Sequence, residues 1–476
     1  METPPSNPAA TLMERSAARF GIAPDRARLW TMMACLLLLG ILAMTRFYTY
    51  QGHLLHGWDG QFYFAEARGF LFGHTVDVTE TLKQTPWPGP FDRNGDGVLE
   101  RVPLRADGRF QSKYPIGLPM VETAFLAVAY GLRRALEAGG VSLRGPPGLS
   151  HFEIWIVALG LFGITMIGLY RLAGLCSDWM GKRAWAWPTA LAFVGTTLFY
   201  YSAMFPFMTH CLSFTVAVYF MAGLRSLSKG EAPNRNLAVL GALAGLLFLI
   251  RPQQALLPLL SLPWLLKPLR GRPGAWMPGA ALGALLSLAA IAATLCYNKA
   301  QFGIYTLNGY AVAHERFDFL HPDFRYVLIG SERGLLYYTP LVLLAIPGLI
   351  AILKKDPASW LLPSVLNALA QIYLVAAWWC PSQGDAFGLR MWTECVPVVA
   401  IGMAALPPLR FWRSRPARLV FAAAAAACCL WSGYLLSRYN GWIKGPPLSP
   451  EPTCEAGPLP RIAGYSHPGE SPRYAR

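Results

Sequence analysis

Two carboxylates stand just beyond the first long apolar segment, in Gly57-Trp58-Asp59-Gly60-Gln61-Phe62-Tyr63-Phe64-Ala65-Glu66. Read as a helix, Asp59, Tyr63 and Glu66 share one face, while Trp58, Phe62, Ala65 and Gly69 share another. Such a helix lies in a membrane interface with its apolar face in lipid, and its acids look along the surface at the depth of lipid phosphates. A solvated acidic face is the plainer alternative. A carboxylate placed there suits general-base work, and Asp59 is the candidate. A phosphate leaving group would need fixed cations, which guanidiniums supply with forked, always-charged donors. Arg251, Arg333 and Arg390 are candidates, with Lys113 and Tyr114 from Arg109-Phe110-Gln111-Ser112-Lys113-Tyr114. Arg251 interrupts the apolar run Leu246–Ile250, where a charge costs about 2.5–3.5 kcal/mol at a helix centre. An ion pair with Glu66 is the structural alternative for it.

Other residues carry weaker signals. His210 opens an apolar stretch and reads either as a site residue or as a hydrogen-bonded packing residue. Asp385 and Glu332 could orient a hydroxyl-rich acceptor. Trp378, Trp379 and Trp392 could stack on a sugar or isoprenoid, although an interfacial aromatic belt accounts for them equally. Asp92, Asn94 and Asp96 have the spacing that opens a calcium loop. The twelfth position is Pro103, which has no carboxylate, so an Asx-rich turn is the alternative to Ca2+. The chemistry otherwise requires no cofactor.

These residues need a scaffold, and composition says which. Of 476 residues 54% are hydrophobic and 14% charged, where a soluble chain carries about a quarter charged. Most of the surface therefore faces lipid. The net charge of +15 is topological: arginines cluster at the ends of apolar runs, with no stacking aromatics interleaved, which excludes nucleic-acid binding. The nine cysteines form no CxxC pair and read as unpaired, although Cys380, Cys395 and Cys454 lie where a disulfide is chemically accessible.

The pattern predicts an all-α polytopic membrane protein of about eleven transmembrane helices. The spans fall near 29–48, 152–172, 185–203, 208–225, 237–250, 254–267, 276–297, 337–353, 359–378, 393–409 and 418–436. The pair flanking Arg251-Pro252 is short enough to be tilted or partly re-entrant. Residues 1–28 form a cytoplasmic segment, 29–436 the membrane domain and 437–476 a Pro/Gly-rich tail. Leaving the apolar segment Gly117–Leu132 in the outer leaflet puts Arg171, Lys182, Arg225, Lys267, Lys354 and Arg410 on one side. The opposite parity strips that side of positive charge, so the first placement is preferred, with the N-terminus cytoplasmic and the C-terminus periplasmic. The first outer loop then runs 47–151, too long to be passive.

Taken in order, Trp-Asp-Gly-x-Phe-Tyr, Asp-Gly-Arg-x-x-Ser-Lys-Tyr-Pro, Glu-Arg-Gly-Leu-Leu-Tyr-Tyr-Thr-Pro at 332–340 and Phe-Gly-Leu-Arg at 387–390 resemble the bacterial GT-C glycosyltransferases. These are the relatives of protein O-mannosyltransferases (glycosyltransferase family 39) and lipid A aminoarabinose transferases. The resemblance runs from about Leu29 to Leu436. It implies a bacterial inner-membrane enzyme that takes a sugar from a polyprenyl-phosphate-linked donor at the outer face, among membrane lipids. It further implies an essential acid in the first outer loop, at Asp59. Gly60 departs from the mannosyltransferase pattern, which has a second adjacent acid there, so the acceptor, whether lipid, glycan or protein, stays open. The competing expectation is a transporter or flippase of lipid-linked saccharides, which would place its charges near the midplane in two matching halves.

Overall fold

The computed structural model describes residues 24–55, 57–84, 109–180, 186–271, 273–312, 315–381, 383 and 386–444. In chain order the main helices are α1 (Pro24–Gln51), α2 (Trp58–Arg68), α3 (Gly117–Ala138), α4 (His151–Met180), α5 (Ala186–Val194), α6 (Thr209–Ser228), α7 (Pro233–Ile250), α8 (Pro273–Phe302), α9 (Leu341–Lys355), α10 (Leu362–Ala377), α11 (Val396–Ala404) and α12 (Arg415–Tyr439). Among the described residues no strand forms; Phe317 and Trp378 make an isolated antiparallel bridge. The protein is an all-α, multi-pass membrane protein.

Among the described residues, α1, α4, α6, α7, α8 and α12 contain the six stretches long and apolar enough to cross a bilayer. The other five predicted spans are helical but short or broken. α10 has 16 residues, a rise of about 24 Å against a hydrocarbon core of about 30 Å. Proline explains much of the fragmentation, because it removes a donor and clashes with the preceding turn. Pro347 lies inside α9, and Pro363 and Pro397 sit in the first turns of α10 and α11. The span near 254–267 is divided among a 3-10 turn at Pro252–Ala255 and helices Leu256–Leu260 and Leu262–Gly271. Large apolar side chains exposed on α1, α8 and α12, such as Leu42, Leu285 and Leu430, are the surface that lipid covers.

The helix ends define two faces. On one, Trp179 packs on Trp360, and Arg225 and Lys229 pair with Asp178; Lys354, Lys355 and Arg410–Arg418 lie at helix ends of the same parity. On the other, the Tyr50 hydroxyl donates to the Gly441 carbonyl at 3.1 Å and Tyr48 Oη is 3.2 Å from His151 Nδ1. These contacts join the end of α1 to the start of α4 and the end of α12. α2 and α3 pack there as well.

α3 is an unbroken helix of 22 residues with two unlike faces. It buries Leu118, Glu122, Leu126, Ala129 and Arg133 along one stripe and exposes Met120, Val128 and Leu132. Arg133 donates to Glu153 at 3.1 Å, and the same carboxylate oxygen accepts from the Ser150 hydroxyl at 2.6 Å and from the Gly148 and Ser150 amides. This knot ties α3 to the first turn of α4.

The lipid-facing placement that the amphipathic pattern predicts for Phe62 and Ala65 is not what the structure has. Phe62, Phe64, Ala65 and Glu66 are all buried, because α3 covers one side of α2 and the 205–207 segment another. Phe64 meets the Phe207 ring edge-on at 5.5 Å. The chain enters α2 through Gly57 at φ 70, ψ 159, a backbone region open essentially to glycine alone. A Cβ there would also stand 2.5 Å from Phe205 Cζ. Gly57→Ala is expected to cost about 1–3 kcal/mol, read as a lower melting temperature in detergent. Gly163→Ala in α4, where a Cβ meets open space, is the control and should not lower it.

Candidate active site

The site grows out of places where helices are made to stop. Pro252 forces the residue before it into extended geometry, and Arg251 ends α7 at φ −153, ψ 104. Its guanidinium therefore leaves the helix at the bundle end. Met208 is extended in the same way before α6, which sets His210 in the first turn. Arg390 begins a 3-10 turn, Arg390–Cys395, that feeds α11. Gly117 lets α3 approach closely: a Cβ on it would lie 2.7 Å from the Ile250 amide nitrogen. That approach lays Lys113 and Tyr114 beside Arg251.

One pocket gathers these groups. Asp59, Tyr63, Lys113, Tyr114, His210, Arg251 and Arg390 all line it, with Tyr310, Glu315 and Trp378 beside them. Asp59 is pinned at both oxygens: Tyr114 donates to Oδ1 at 2.5 Å, and Arg390 Nη1 lies 2.9 Å from Oδ2. Burial alone would raise the Asp59 carboxyl, but the Arg390 charge, the Tyr114 hydrogen bond and the Lys113 charge more than offset it. The group is held below the usual carboxylate range. Burial, then Tyr310 and Asp59, push the Tyr63 hydroxyl well up; burial and Asp59 do the same to Tyr114. Both phenols are thus hydrogen-bond donors at neutral pH.

Arg251 pairs with Glu394, at 2.8 Å, and not with Glu66. His210 Nδ1 stands 3.0 Å from the same Glu394 oxygen and 2.6 Å from Arg251 Nη1, and its tautomer decides which bond it makes. With its amide turned to satisfy both ends, Gln253 accepts from Arg251 Nε at 2.9 Å. The guanidinium is held from three sides. Breaking a buried pair by removing one partner strands a charge, so Glu394→Gln is expected to destabilise by about 3–5 kcal/mol. Pairing it with Arg251→Met should recover part of that loss in thermal melts; strict additivity of the two would show that they do not interact.

Not every expected site residue reaches the pocket. Glu66 is fully buried on α2 below it. Ser112 and Tyr297 hydroxyls lie nearby, but among the described residues neither carboxyl oxygen has a partner at hydrogen-bond distance, and burial pushes the group up to about 8. Arg333 is buried elsewhere, donating to its neighbour's carbonyl, while Glu332 accepts from Tyr326. Trp392 is a core residue whose indole donates to the Ala368 carbonyl. Asp92, Asn94, Asp96 and Asp385 lie outside the described residues, so the calcium loop has no structural account. Among the described residues no group of three or more His, Cys, Asp or Glu could hold a metal. Cys380 is disulfide-bonded, against the reading of all cysteines as unpaired, while Cys395 is free. Glu394, Glu315 and Tyr310 were not foreseen. Glu394 had a usable signal, an acid at the edge of an apolar run; the other two sit in no motif.

The Glu66 environment gives a pH prediction. Between the ordinary carboxyl value and about 8, the folded protein keeps a proton that the unfolded chain has lost, so stability falls as pH rises through that window. Glu66→Gln is expected to raise the melting temperature at pH 8 and leave it unchanged at pH 4.

No family model matches the chain and no curated protein matches it. Two crystal structures of ArnT from Cupriavidus metallidurans do. The apo form superposes with a TM-score of 0.52 at 15% identity, covering 87% of this chain and 66% of ArnT. The form bound to undecaprenyl phosphate gives 0.52 at 16% identity, covering 84% and 63%. The chain spans just under two thirds of the length of those proteins. The chain shares the fold of these two ArnT structures.

Proposed function

We propose that the protein transfers a glycosyl group from a polyprenyl-phosphate-linked sugar to an acceptor at the outer face of the bacterial inner membrane. The observation that carries this reading is the convergence of Asp59, Lys113, Arg251 and Arg390 on one pocket. That pocket lies at the bundle end opposite the basic helix termini, which the positive-inside rule assigns to the cytoplasm. The disulfide at Cys380 suits an oxidising compartment. The undecaprenyl phosphate bound to the ArnT neighbour supports a donor of that class.

In this reading the sugar C1–phosphate oxygen bond breaks, and the phosphate leaves with the electron pair. The acceptor oxygen forms the new bond to C1, and its proton passes to Asp59. Lys113, Arg251 and Arg390 offset the charge that builds on the phosphate. A carboxylate with a lowered pKa is a weak base, but phosphate is a good leaving group, so the acceptor needs little activation. Asp59 orients the acceptor hydroxyl and takes its proton late. The pocket groups sit at helix ends, whereas transporters hold substrate charges near the midplane.

Asp59→Asn is expected to abolish transfer while the protein still inserts and folds, with a lowered melting temperature because Arg390 loses its carboxylate; lipid and glycan mass spectrometry of cells carrying each form reads it. Undiminished product from that variant would remove Asp59 from the mechanism. The pH profile is a second readout. A depressed carboxyl is ionised above its ordinary value, and what its ionisation supports is lost only as pH falls through the lower folded value. Arg390→Gln should move the acid limb of residual activity upward.

A further inference from the structure

Three cations line the pocket among its described residues, and each has a carboxylate: Arg390 with Asp59, Arg251 with Glu394, Lys113 with Glu315. An anion that enters therefore meets a site whose positive charges are already matched, and at least one pair must open to admit it. The pairs are not equally able to do so. Arg251 and Glu394 side chains are 7% and 0% exposed, and the guanidinium is also held by His210 and Gln253. Asp59 is held by Tyr114 as well as Arg390. Lys113 is 30% exposed, and its ammonium is a point charge with rotatable donors, not a fork locked to one geometry.

We propose that Glu315 occupies the place on Lys113 that the donor phosphate takes when it binds, and so acts as a specificity-determining anion built into the chain. The proposal rests on the phosphate-linked donor argued above. The Lys113 ammonium is already placed for an incoming ligand, 5.7 Å from the ring centroids of both Tyr114 and Tyr310. The Glu315 backbone is fixed too. Its amide donates to the Tyr310 carbonyl, and the next residues bond to the end of α10 through Arg316–Trp379 and Asp318–Ala377. Only the Glu315 side chain needs to turn for the exchange. A small anion gains one contact by displacing it. A ligand that also reaches Arg390 and Arg251 and buries an isoprenoid chain gains several, so the pair discriminates between them.

The test is binding of undecaprenyl phosphate to the purified full-length protein in detergent. Removing the competing carboxylate with E315Q should tighten binding by about fivefold, and K113Q should weaken it. In the double variant the gain from E315Q should vanish, because its route is Lys113. Equal or weaker binding by E315Q, while wild type binds, overturns the proposal and leaves the donor class standing. A tightening that survives K113Q overturns it also, since the gain would then be general electrostatics. Failure of wild type and variants alike to bind the lipid overturns the donor reading and this proposal together. Should E315Q lose its melting transition, E315D is read instead: the shorter acid should give an intermediate tightening, and unchanged or weaker binding there counts against the proposal.

Discussion

A charge buried at the end of a lipid-embedded bundle has to carry its partner with it, and this requirement organises the site. Water is scarce there, so an ionised group left alone loses most of its solvation. The pairs between Asp59 and Arg390 and between Arg251 and Glu394 meet it across long sequence separations. Arg251 closes α7 and Glu394 precedes α11. Asp59 opens α2 and Arg390 opens the turn before α11. Each pair is therefore a tertiary clamp as well as a local neutralisation. The helices around the pocket are held in position by the groups that give it chemistry.

Broken helices make this arrangement available. A regular helix satisfies its own backbone and presents side chains sideways to lipid or to neighbouring helices. Where the helix stops, side chains leave along its axis. Arg251, His210 and Arg390 all occupy such positions, and proline or an extended residue stands beside the first two. Asp59, Arg390 and Glu394 come from short elements, and His210 and Arg251 from the ends of the spanning helices α6 and α7. Interlocks such as Arg133 with Glu153 tie the helices together away from the pocket as well.

How much of this can be read without coordinates depends on how local the cause is. Apolar run length exposes the six long helices, and the Arg251-Pro252 dipeptide announces a stop with a charge on it. Asp59, Lys113 and Arg390 stand in motifs that carry a resemblance, and they do converge. Glu66 was misjudged because helical periodicity describes α2 as if one face met lipid, and the cover that α3 provides is a tertiary fact. Arg251 was given the wrong acid for the same reason. Glu66 is near in the sequence argument, whereas Glu394 is 143 residues away and adjacent in space. Glu315 could not be found at all: its meaning lies entirely in Lys113, 202 residues earlier.

The two carboxyls of α2 show why spacing alone cannot assign chemistry. Asp59 and Glu66 belong to one helix and one helical stripe, yet their states differ. Asp59 meets a guanidinium and a phenol and is held ionised. Glu66, buried with no cation on it among the described residues, is pushed up to about 8 and carries its proton at neutral pH. Environments that drive two acids apart in this way separate a charged, acceptor role from a neutral, donor one. A single helix thus delivers an anion to the pocket and a neutral acid to the core beneath it. The difference is set by which residues the neighbouring loops bring: Arg390 arrives over Asp59, and among the described residues no counterpart arrives over Glu66. The identity of the reacting carboxylate is a property of the assembled bundle, written in the segments that cover α2 more than in α2 itself.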